Sequence, residues 1–569
     1  MGKLWKVKEL ITEVVKNEFK ELHPLVAQGL FNRGITNLPA AQFFLGANYS
    51  DLHNPFLFKD MQSSVDRIYK AFEQNEKIAV YGDYDADAVT AAAVLLRTFK
   101  YLGITAEYYI PDRFSEGYGL NIPAFEKLKS KGVTVIITVD CGTNSVDVAD
   151  YCNQNGIDLI ITDHHEITGD IPQSFALINP KNPNDAYPYN QITGVGVAYK
   201  LAKALLTDTE KAKKYNSDFV EGWDKWLLDL VSIGTVADCH SLIGENRILV
   251  YLGLKVLPKT RWAGLRALLR VAHTESENFN SELLGFIIAP RVNAAGRLEH
   301  ASVALELLLE DNLEQAEIKA QGLEKINTRR KNLSGRILSE AREMAQQHQH
   351  RKILVLAHES WHKGLVGIVA GRLSNEFSRP VVVLEKGEQE STGSVRGYGG
   401  FDTVAALQSA KDVLVRFGGH KEAAGVTLLS SNLDSFRHKL LEFAEKEDAN
   451  LQENQNVLEL EAELLENDLD LKTLSALEAF APFGAGNPTP IFLIEKAYPI
   501  SVKKIGKDQT HLQISLNIGS KKLDAIGFRL GYLADNLQIN QPYDFAVELI
   551  RDSWNGYEKL KLRIVDVKV

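Results

Sequence analysis

The chain has 569 residues, of which 45% are hydrophobic and 24% charged, and its formal net charge is −10. This length predicts three or four domains of about 150 residues each, with the composition of a soluble globular protein. No apolar stretch approaches the ~20 residues needed to cross a bilayer, residues 1–5 begin no signal peptide, and the three cysteines lack CxxC spacing. We therefore expect a cytoplasmic protein without membrane contact, disulfides or a zinc–thiolate site.

The net negative charge argues against nucleic-acid binding, because a basic face is the usual footprint of phosphate recognition. Carboxylates that hold divalent cations weaken this objection, since the bound metal offsets their charge. Charge can also be segregated locally on a large chain. Net charge alone therefore does not decide the class of function.

The predicted elements of the first half indicate a lead-in segment and a parallel sheet. Residues 1–70 are mixed and helical in character, whereas residues 71–220 alternate strands with helices. Strands are expected at 78–81, 106–110, 133–139, 157–162 and 176–178. Such alternation predicts a doubly wound, parallel α/β sheet.

Three further regions follow along the chain. Residues 221–350 lack this alternation and predict a helical connector that completes the core. Residues 351–450 return to strands, helices and glycine-rich turns, which predict a second, smaller α/β domain. Residues 451–569 contain short alternating strands, for which an OB-like β-barrel is the expectation.

Acidic and histidine side chains follow three of the predicted strands, where each strand ends. The positions are Asp83, Asp85 and Asp87, then Asp140, then Asp163, His164 and His165, with Asp238 further along the chain. Open α/β sheets bind ligands outside the carboxyl ends of their strands, so we expect these clusters to converge on one place.

Each cluster also has a plainer interpretation. The alternative for the first is a solvated turn with an N-cap aspartate, and for the adjacent histidines it is a surface helix N-terminus. Asp140 and Asp238 are weak signals when taken singly. Together, however, the acidic residues and histidines favour a two-metal hydrolase, in which cations about 3.5–4 Å apart activate water and stabilise both oxygens of an in-line phosphoryl displacement.

In the order of its motifs the chain resembles the DHH phosphoesterase superfamily, and in particular its single-stranded-DNA-specific 5′ to 3′ exonucleases. The motifs are Asp-Tyr-Asp-Ala-Asp at 83–87, Val-Asp-Cys-Gly at 139–142, Asp-His-His at 163–165 and Val-Ala-Asp at 236–238. Further similar stretches lie at 113–120, 290–297, 362–372, 393–396, 417–425 and 482–488. The resemblance implies a DHH domain, a DHH-associated α/β domain and an OB-like domain.

The resemblance also implies roles for individual residues. The matching metal ligands are Asp85, Asp87, Asp140, His164 and Asp238. His165 matches a histidine that faces the scissile phosphate, and Asp83 and His164 are expected to act beside it. The matching substrate-binding residues are Arg113, Arg291, Asn293, Arg297, Ser394, Arg396, Gly418, Gly419 and His420. The arginines and glycines also have alternative roles: the arginines would then form only surface salt bridges, and the glycines would serve only the backbone conformation of a turn.

The implied reaction releases mononucleotides from the 5′ end of single-stranded DNA, in DNA repair and recombination. Two divalent cations are the expected cofactors, with Mn²⁺ preferred and Mg²⁺ as the alternative. The implied partners are single-stranded DNA, a single-strand-binding protein and a helicase, and the chain is expected to act as a monomer. Lysines of the predicted barrel and Tyr557, beside a hairpin at Asn555 and Gly556, predict a groove that binds the strand by charge and stacking.

Two other functions remain open at this point. One is a smaller-substrate DHH phosphatase, which would lack the C-terminal barrel, and the other is a catalytically silent scaffold, which would carry degenerate ligands. The chain departs from the family pattern at Ala88 and Gly397, where glycine and serine are usual, and at 239–242, where an apolar run ending in Pro-Leu is usual. None of these departures removes a matching ligand.

Overall fold

The computed structural model describes residues 3–117, 119–274, 279–448, 457–554 and 557–568. The predicted hairpin residues Asn555 and Gly556 lie outside this part of the chain. None of the described helices is long and apolar enough to cross a membrane.

The N-terminal segment is a short strand followed by four helices. They are β1 (Leu4–Val7), α1 (Glu13–Glu18), α2 (Pro24–Asn32), α3 (Leu38–Gly46) and α4 (Met61–Glu73). The first three helices share a hydrophobic core with the C-terminal region, in which Leu30 and Phe44 pack with Phe480. Only α4 of these helices contributes to the core beneath the first sheet.

The first sheet is parallel and is covered on both faces. Its elements are β2 (Lys77–Gly82), α5 (Ala86–Tyr101), β3 (Ala106–Tyr109), α6 (Ile122–Ser130), β4 (Val133–Val139), α7 (Val146–Asn155), β5 (Asp158–Thr162), β6 (Ala176–Ile178) and α8 (Gly194–Thr207). The strand order is β3-β2-β4-β5-β6. Val80 and Ile137 face one core while Tyr81 and Ile136 face the other, which explains the continuous apolar runs of these strands. The predicted doubly wound α/β fold is confirmed.

The register of this sheet brings the acidic clusters to one edge. Gly82 lies opposite Val139, and Val139 lies opposite Thr162. The residues that follow, Asp83, Asp140 and Asp163, therefore leave the sheet side by side.

A helical region connects the two α/β domains. Its helices are α9 (Thr209–Tyr215), α10 (Leu228–Ala237), α11 (Gly244–Val256), α12 (Ala263–Val271), α13 (Ser281–Leu283), α14 (Ala289–Leu298), α15 (Ser302–Leu309) and α16 (Leu313–Gln347). A π-helical turn over Leu284–Ile288 joins α13 to α14. Close packing of α12 on α15 requires glycine at 264, where a Cβ would lie 1.6 Å from the Leu307 carbonyl oxygen.

The second α/β domain is a mixed sheet. Its elements are β7 (Leu354–His358), α17 (Lys363–Phe377), β8 (Val381–Lys386), β9 (Glu390–Arg396), α18 (Thr403–Ser409), β10 (Leu414–His420), β11 (Ala423–Leu429) and α19 (Leu433–Asp448). The order is β10-β11-β9-β8-β7. Strands β7 and β8 pair in parallel, and the other neighbours are antiparallel.

The C-terminal domain is a closed barrel, as predicted. Its elements are β12 (Val457–Leu460), α20 (Leu471–Leu477), β13 (Phe492–Ile505), β14 (His511–Ile518), β15 (Lys521–Gly527), β16 (Tyr543–Trp554) and β17 (Tyr557–Lys568). The barrel closes in the order β13-β14-β15-β17-β16. Strand β12 pairs in parallel with β1, so the two ends of the chain form one unit. The predicted domain boundaries themselves remain predictions.

A buried arginine joins this unit to the helical region. Arg247 on α11 donates from Nε to the Phe44 carbonyl at 2.8 Å, and from Nη1 and Nη2 to the carbonyls of Phe480 and Ala479 at 2.6 and 3.1 Å. Its guanidinium also lies 4.0 Å from the centroid of the Phe44 ring. One side chain thus satisfies backbone acceptors from both ends of the chain.

We expect Arg247→Met to destabilise the fold by on the order of 3 kcal/mol, because it leaves buried carbonyls without donors. Thermal unfolding followed by circular dichroism checks this. The control is Arg342→Met, which breaks an exposed pair with Glu376 and should cost about 1 kcal/mol or less. Equal midpoints for the two variants would contradict the structural role of Arg247.

Candidate active site

The backbone at the carboxyl edge of the first sheet is held in register beyond the strands. The amide of Asp140 donates to the Thr162 carbonyl at 2.9 Å, and that of Asp163 donates to the Ile178 carbonyl at 3.1 Å. Asp140 has a φ of 58°, a left-handed conformation that is uncommon for a residue with a side chain. Strained backbone of this kind is concentrated at functional sites, where the surrounding structure holds it in place.

Three predicted ligands meet around the ring of a fourth, His164. Its Nε2 lies 3.0 Å from Asp140 Oδ1, 3.8 Å from Asp238 Oδ2 and 3.9 Å from Asp87 Oδ2. The His165 ring is adjacent, with its Nδ1 4.0 Å from Asp140 Oδ1. The expected convergence of the acidic clusters is therefore present, although Asp238 arrives from helix α10 rather than from a strand.

Two helix N-termini hold the first acidic cluster. Asp85 caps α5, accepting from the amides of Asp87 and Ala88 at 3.0 and 3.1 Å. Asp87 accepts from the amides of Gly194 and Val195, at the start of α8, at 2.8 and 2.9 Å. The N-cap interpretation is thus correct for Asp85, and capping fixes its carboxylate beside the others.

Three glycines allow neighbouring helices to approach the acidic residues of the site. A Cβ at Gly194 would lie 2.6 Å from Cβ of Asp140, and one at Gly234 would lie 2.9 Å from Asp87 Oδ1. A Cβ at Gly296 on α14 would lie 2.3 Å from the Tyr84 carbonyl oxygen. The site is therefore enclosed by helices that carry no side chain at the point of contact.

The carboxylates repel one another in a buried setting. Burial is the larger cause and the charge of Asp85 the smaller one, and together they raise the pKa of Asp83 to about 8 and that of Asp238 to about 7. Burial and neighbouring aspartates also raise the pKa values of Asp87 and Asp140 well above the usual carboxyl range. Such a group of acids is costly to ionise unless positive charge lies among them.

The two histidines differ in protonation. Burial and the charge of His165 lower the pKa of His164 to about 3, so His164 is neutral and suited to coordinate a metal. Burial lowers the pKa of His165, but its 2.7 Å hydrogen bond with Asp163 and the charge of that carboxylate raise it to about 9 overall. Asp163 also accepts from the Thr143 amide at 2.9 Å, so it orients His165.

The donor set fits divalent cations. Among the described residues, several buried polar atoms have no hydrogen-bond partner, and those at the site are Asp83 Oδ1, Asp140 Oδ1, His164 Nδ1 and Asp238 Oδ2. Two overlapping groups have donor atoms within 4.8 Å of one another, namely Asp140 with His164 and His165, and His164 with Asp238 and His240. Carboxylate oxygens with imidazole nitrogens suit Mn²⁺ and related ions.

We expect metal affinity to rise with pH. The pKa of Asp238, one of the predicted ligands, is raised to about 7, so below this value a proton occupies a group that must be ionised for a cation to bind. Apparent Mn²⁺ affinity, measured by calorimetric titration, should increase about tenfold per pH unit for each displaced proton between pH 6 and 7. It should level off above pH 8. Affinity that is flat across this range would contradict the raised pKa values.

A cluster of arginines lies next to the acidic site. Arg297 is close enough to Arg113, Arg330, Asp85 and Arg396 to interact with all four, and burial together with the neighbouring arginines lowers its pKa to about 10. Within the described ranges, neither Arg113, Arg297 nor Arg396 has a carboxylate within 4.0 Å. Arginines that form no close ion pair and are gathered at one place favour an anionic ligand.

Most of the remaining predicted substrate residues lie on the second α/β domain. Ser394, Arg396 and His420 lie on the second domain, where Arg396 and His420 line a cleft of about 560 Å³ with Gly371 of α17. Arg396 donates to the Ser394 hydroxyl. Gly418 and Gly419 lie on the exposed strand β10, where Gly419 has a φ of 150° and a Cβ would lie 2.4 Å from the Ala423 carbonyl oxygen.

Arg291 and Asn293 instead contact the protein itself. Arg291 is buried and pairs with Glu324 at 2.6 Å. The Asn293 side chain accepts from the Ala86 amide at 2.9 Å, which holds the loop of the first acidic cluster. We therefore infer that Asn293 positions this loop. Arg291 lies near Arg330 at the edge of the arginine cluster, and its contact with substrate stays a prediction.

The sequence interpretation missed His240 and the positioning role of Asp163. His240 follows Asp238 by two residues, and its Nε2 lies 3.6 Å from Asp238 Oδ2. A histidine so close in sequence to a candidate ligand was the available signal.

Three regions of the chain match family models. Residues 77–235 match the DHH family N-terminal domain, residues 350–446 the DHHA1 domain and residues 460–566 the RecJ OB domain. Together with the acidic site at the sheet edge, these matches define a DHH-type phosphoesterase.

Similar proteins narrow this class. The chain is 37% identical over 99% of its length to the single-stranded-DNA-specific exonuclease RecJ of Bacillus subtilis, of which it covers 71%. It is 31% identical to the protein of that name from Haemophilus influenzae, over 95% of this chain and 96% of that one. The crystal structure of Thermus thermophilus RecJ in complex with Mn²⁺ matches with a TM-score of 0.84 and 28% identity, over 100% of this chain and 79% of that chain. The chain belongs to the RecJ family of single-stranded-DNA-specific exonucleases.

Proposed function

We propose that this exonuclease removes mononucleotides from the 5′ end of single-stranded DNA, using two divalent cations. Asp85, Asp87, Asp140, His164 and Asp238 would hold them. The main support is the set of close ligand residues, three of which have a buried atom without a hydrogen-bond partner in the described part of the chain: Asp140 Oδ1, His164 Nδ1 and Asp238 Oδ2. Divalent cations as a class are supported by relatives crystallised with Mn²⁺ and with Mg²⁺. We propose Mn²⁺ as the preferred ion because imidazole ligands favour it over Mg²⁺.

The chain's own residues prepare the site for hydrolysis. When bound, the cations supply charge that activates water and stabilises an in-line phosphoryl displacement. His165, whose pKa is raised to about 9, carries a proton at neutral pH, and its bond to Asp163 fixes the ring for contact with the scissile phosphate. Asp83, with a pKa of about 8, can hold or release a proton near neutral pH.

The arginine cluster suits the 5′ end of the strand. A terminal phosphate would be contacted by Arg113, Arg297 and Arg396, with Ser394 beside them. Each guanidinium can donate two parallel hydrogen bonds to two oxygens of the same phosphate. The exposed β10–β11 turn would lie against the backbone of the strand. Selectivity for a single strand would be steric, through a channel between the two α/β domains that excludes a duplex. Action as a monomer, and contacts with a single-strand-binding protein and a helicase, follow only from the resemblance and stay predictions.

Asp140→Ala tests the metal assignment. We expect it to lower hydrolysis at least about 10³-fold, because the carboxylate nearest to His164 would be lost from a site that depends on paired charge. The measurement is product length over time from strands labelled at either end and incubated with Mn²⁺. Mononucleotides from the 5′ terminus are expected for the unaltered chain. Digestion from the 3′ terminus, or full activity in the variant, would contradict the proposal.

Arg396→Gln tests the end-binding pocket. Loss of a charge-assisted contact worth about 1.5–3 kcal/mol should raise KM for a 5′-phosphorylated strand by about 10- to 100-fold. A strand with a 5′ hydroxyl should be affected far less. The control is Arg437→Gln, which removes a partly exposed arginine paired with Asp434 on α19. Equal effects on both strands would exclude Arg396 from recognition of the terminal phosphate.

A further inference from the structure

His240 places a third imidazole at the acidic site, at a position where the family resemblance leads one to expect an apolar residue. Its Nε2 lies 3.6 Å from Asp238 Oδ2, and Asp238 Oδ2 lies 3.8 Å from His164 Nε2. The rings of His164 and His240 have centroids 5.0 Å apart, with an angle of 59° between their planes. The three side chains therefore surround one small volume.

The end of helix α10 explains this arrangement. The Asp238 amide donates to the Gly234 carbonyl at 3.0 Å, which completes the last turn of the helix, and the Cys239 amide donates to the Val236 carbonyl at 3.2 Å. Cys239 then adopts a left-handed conformation with a φ of 58°. This reversal brings His240 beside Asp238.

The spacing of these donors fits a shared ion better than a direct contact. A nitrogen–oxygen separation of 3.6 Å exceeds the range of about 2.7–3.2 Å for a hydrogen bond, so Asp238 and His240 do not satisfy each other. Two ligands that are each about 2.1 Å from one ion lie about 3.0 Å apart at right angles and farther apart at wider angles, so donors 3.6 Å apart can share an ion. Among the described residues, Asp238 Oδ2 is buried without a hydrogen-bond partner, and so is Nδ1 of the nearly fully buried His164.

We propose that His240 is an additional nitrogen ligand for one of the divalent cations, together with Asp238 and His164. This inference rests on the two-metal function proposed above and goes beyond it by assigning a ligand outside the set that the resemblance implies. A second imidazole on one ion selects for Mn²⁺, Co²⁺ or Zn²⁺ against Mg²⁺, because Mg²⁺ prefers oxygen ligands. His240 would therefore set which metal the site prefers.

The test compares metal binding by His240→Leu, His240→Gln and the unaltered chain, without substrate. Calorimetric titration with Mn²⁺ should show about 10- to 100-fold weaker binding of at least one ion in both variants, with Mg²⁺ affinity changed far less. The visible absorption of bound Co²⁺ should also change, because it reports the ligand set. His438→Gln, which removes an exposed imidazole on α19, is the matched control and should leave both readouts unaltered. Circular dichroism confirms that each variant is folded.

The results separate this inference from the function on which it rests. Unchanged Mn²⁺ affinity and an unchanged Co²⁺ spectrum in both folded His240 variants would overturn the assignment of His240. If Asp140→Ala nevertheless lost Mn²⁺ binding, the two-metal site would stand without His240. If Asp140→Ala also bound Mn²⁺ normally, the proposed function itself would fail.

Discussion

The structure depends on one electrostatic constraint, which is the enclosure of several carboxylates at a single edge of a parallel sheet. Burial raises the pKa values of Asp87 and Asp140, and each is raised further by the charge of its neighbours. Desolvated acids at this spacing favour the ionised state only when cations lie among them. The mutual repulsion of these buried carboxylates destabilises the metal-free protein, and the same negative charge makes the region a strong site for divalent metal ions.

The surrounding elements hold this arrangement in place. The N-termini of α5 and α8 direct backbone amides at Asp85 and Asp87, where the positive end of each helix dipole stabilises negative charge. Glycines at 194 and 234 let α8 and α10 approach without a side chain in between. The parallel register then determines which residues leave the sheet next to one another. Rigid elements, rather than a flexible loop, therefore set the distances between the donors.

Part of this site follows directly from sequence and part of it does not. Asp83, Asp140 and Asp163 follow apolar, β-branched runs, and the rule that parallel strands end at a common edge is enough to bring them together. Asp238 instead ends a helix, so the rule for strand ends does not explain its position, and the apolar stretch before it was only a weak signal. The roles of Asn293 and Arg291 depend on tertiary contacts with Ala86 and Glu324, which no local pattern encodes.

The fold shows the same division. Alternating strands and helices predicted the parallel sheet, and short strands predicted the barrel, because both depend on local periodicity. The packing of the first three helices on that barrel was not predicted, since the contact of Phe44 with Phe480 joins residues at opposite ends of the chain. A similar limit applied to His240, whose position depends on the left-handed turn at Cys239.

The most direct test of the account is to locate bound metal in crystals of the protein grown with Mn²⁺, by anomalous scattering. We expect two peaks about 3.5–4 Å apart, enclosed by the carboxylates at the edge of the parallel sheet and the His164 ring. A single peak, or peaks located away from Asp140, would contradict the claim that these buried acids exist to hold a pair of cations.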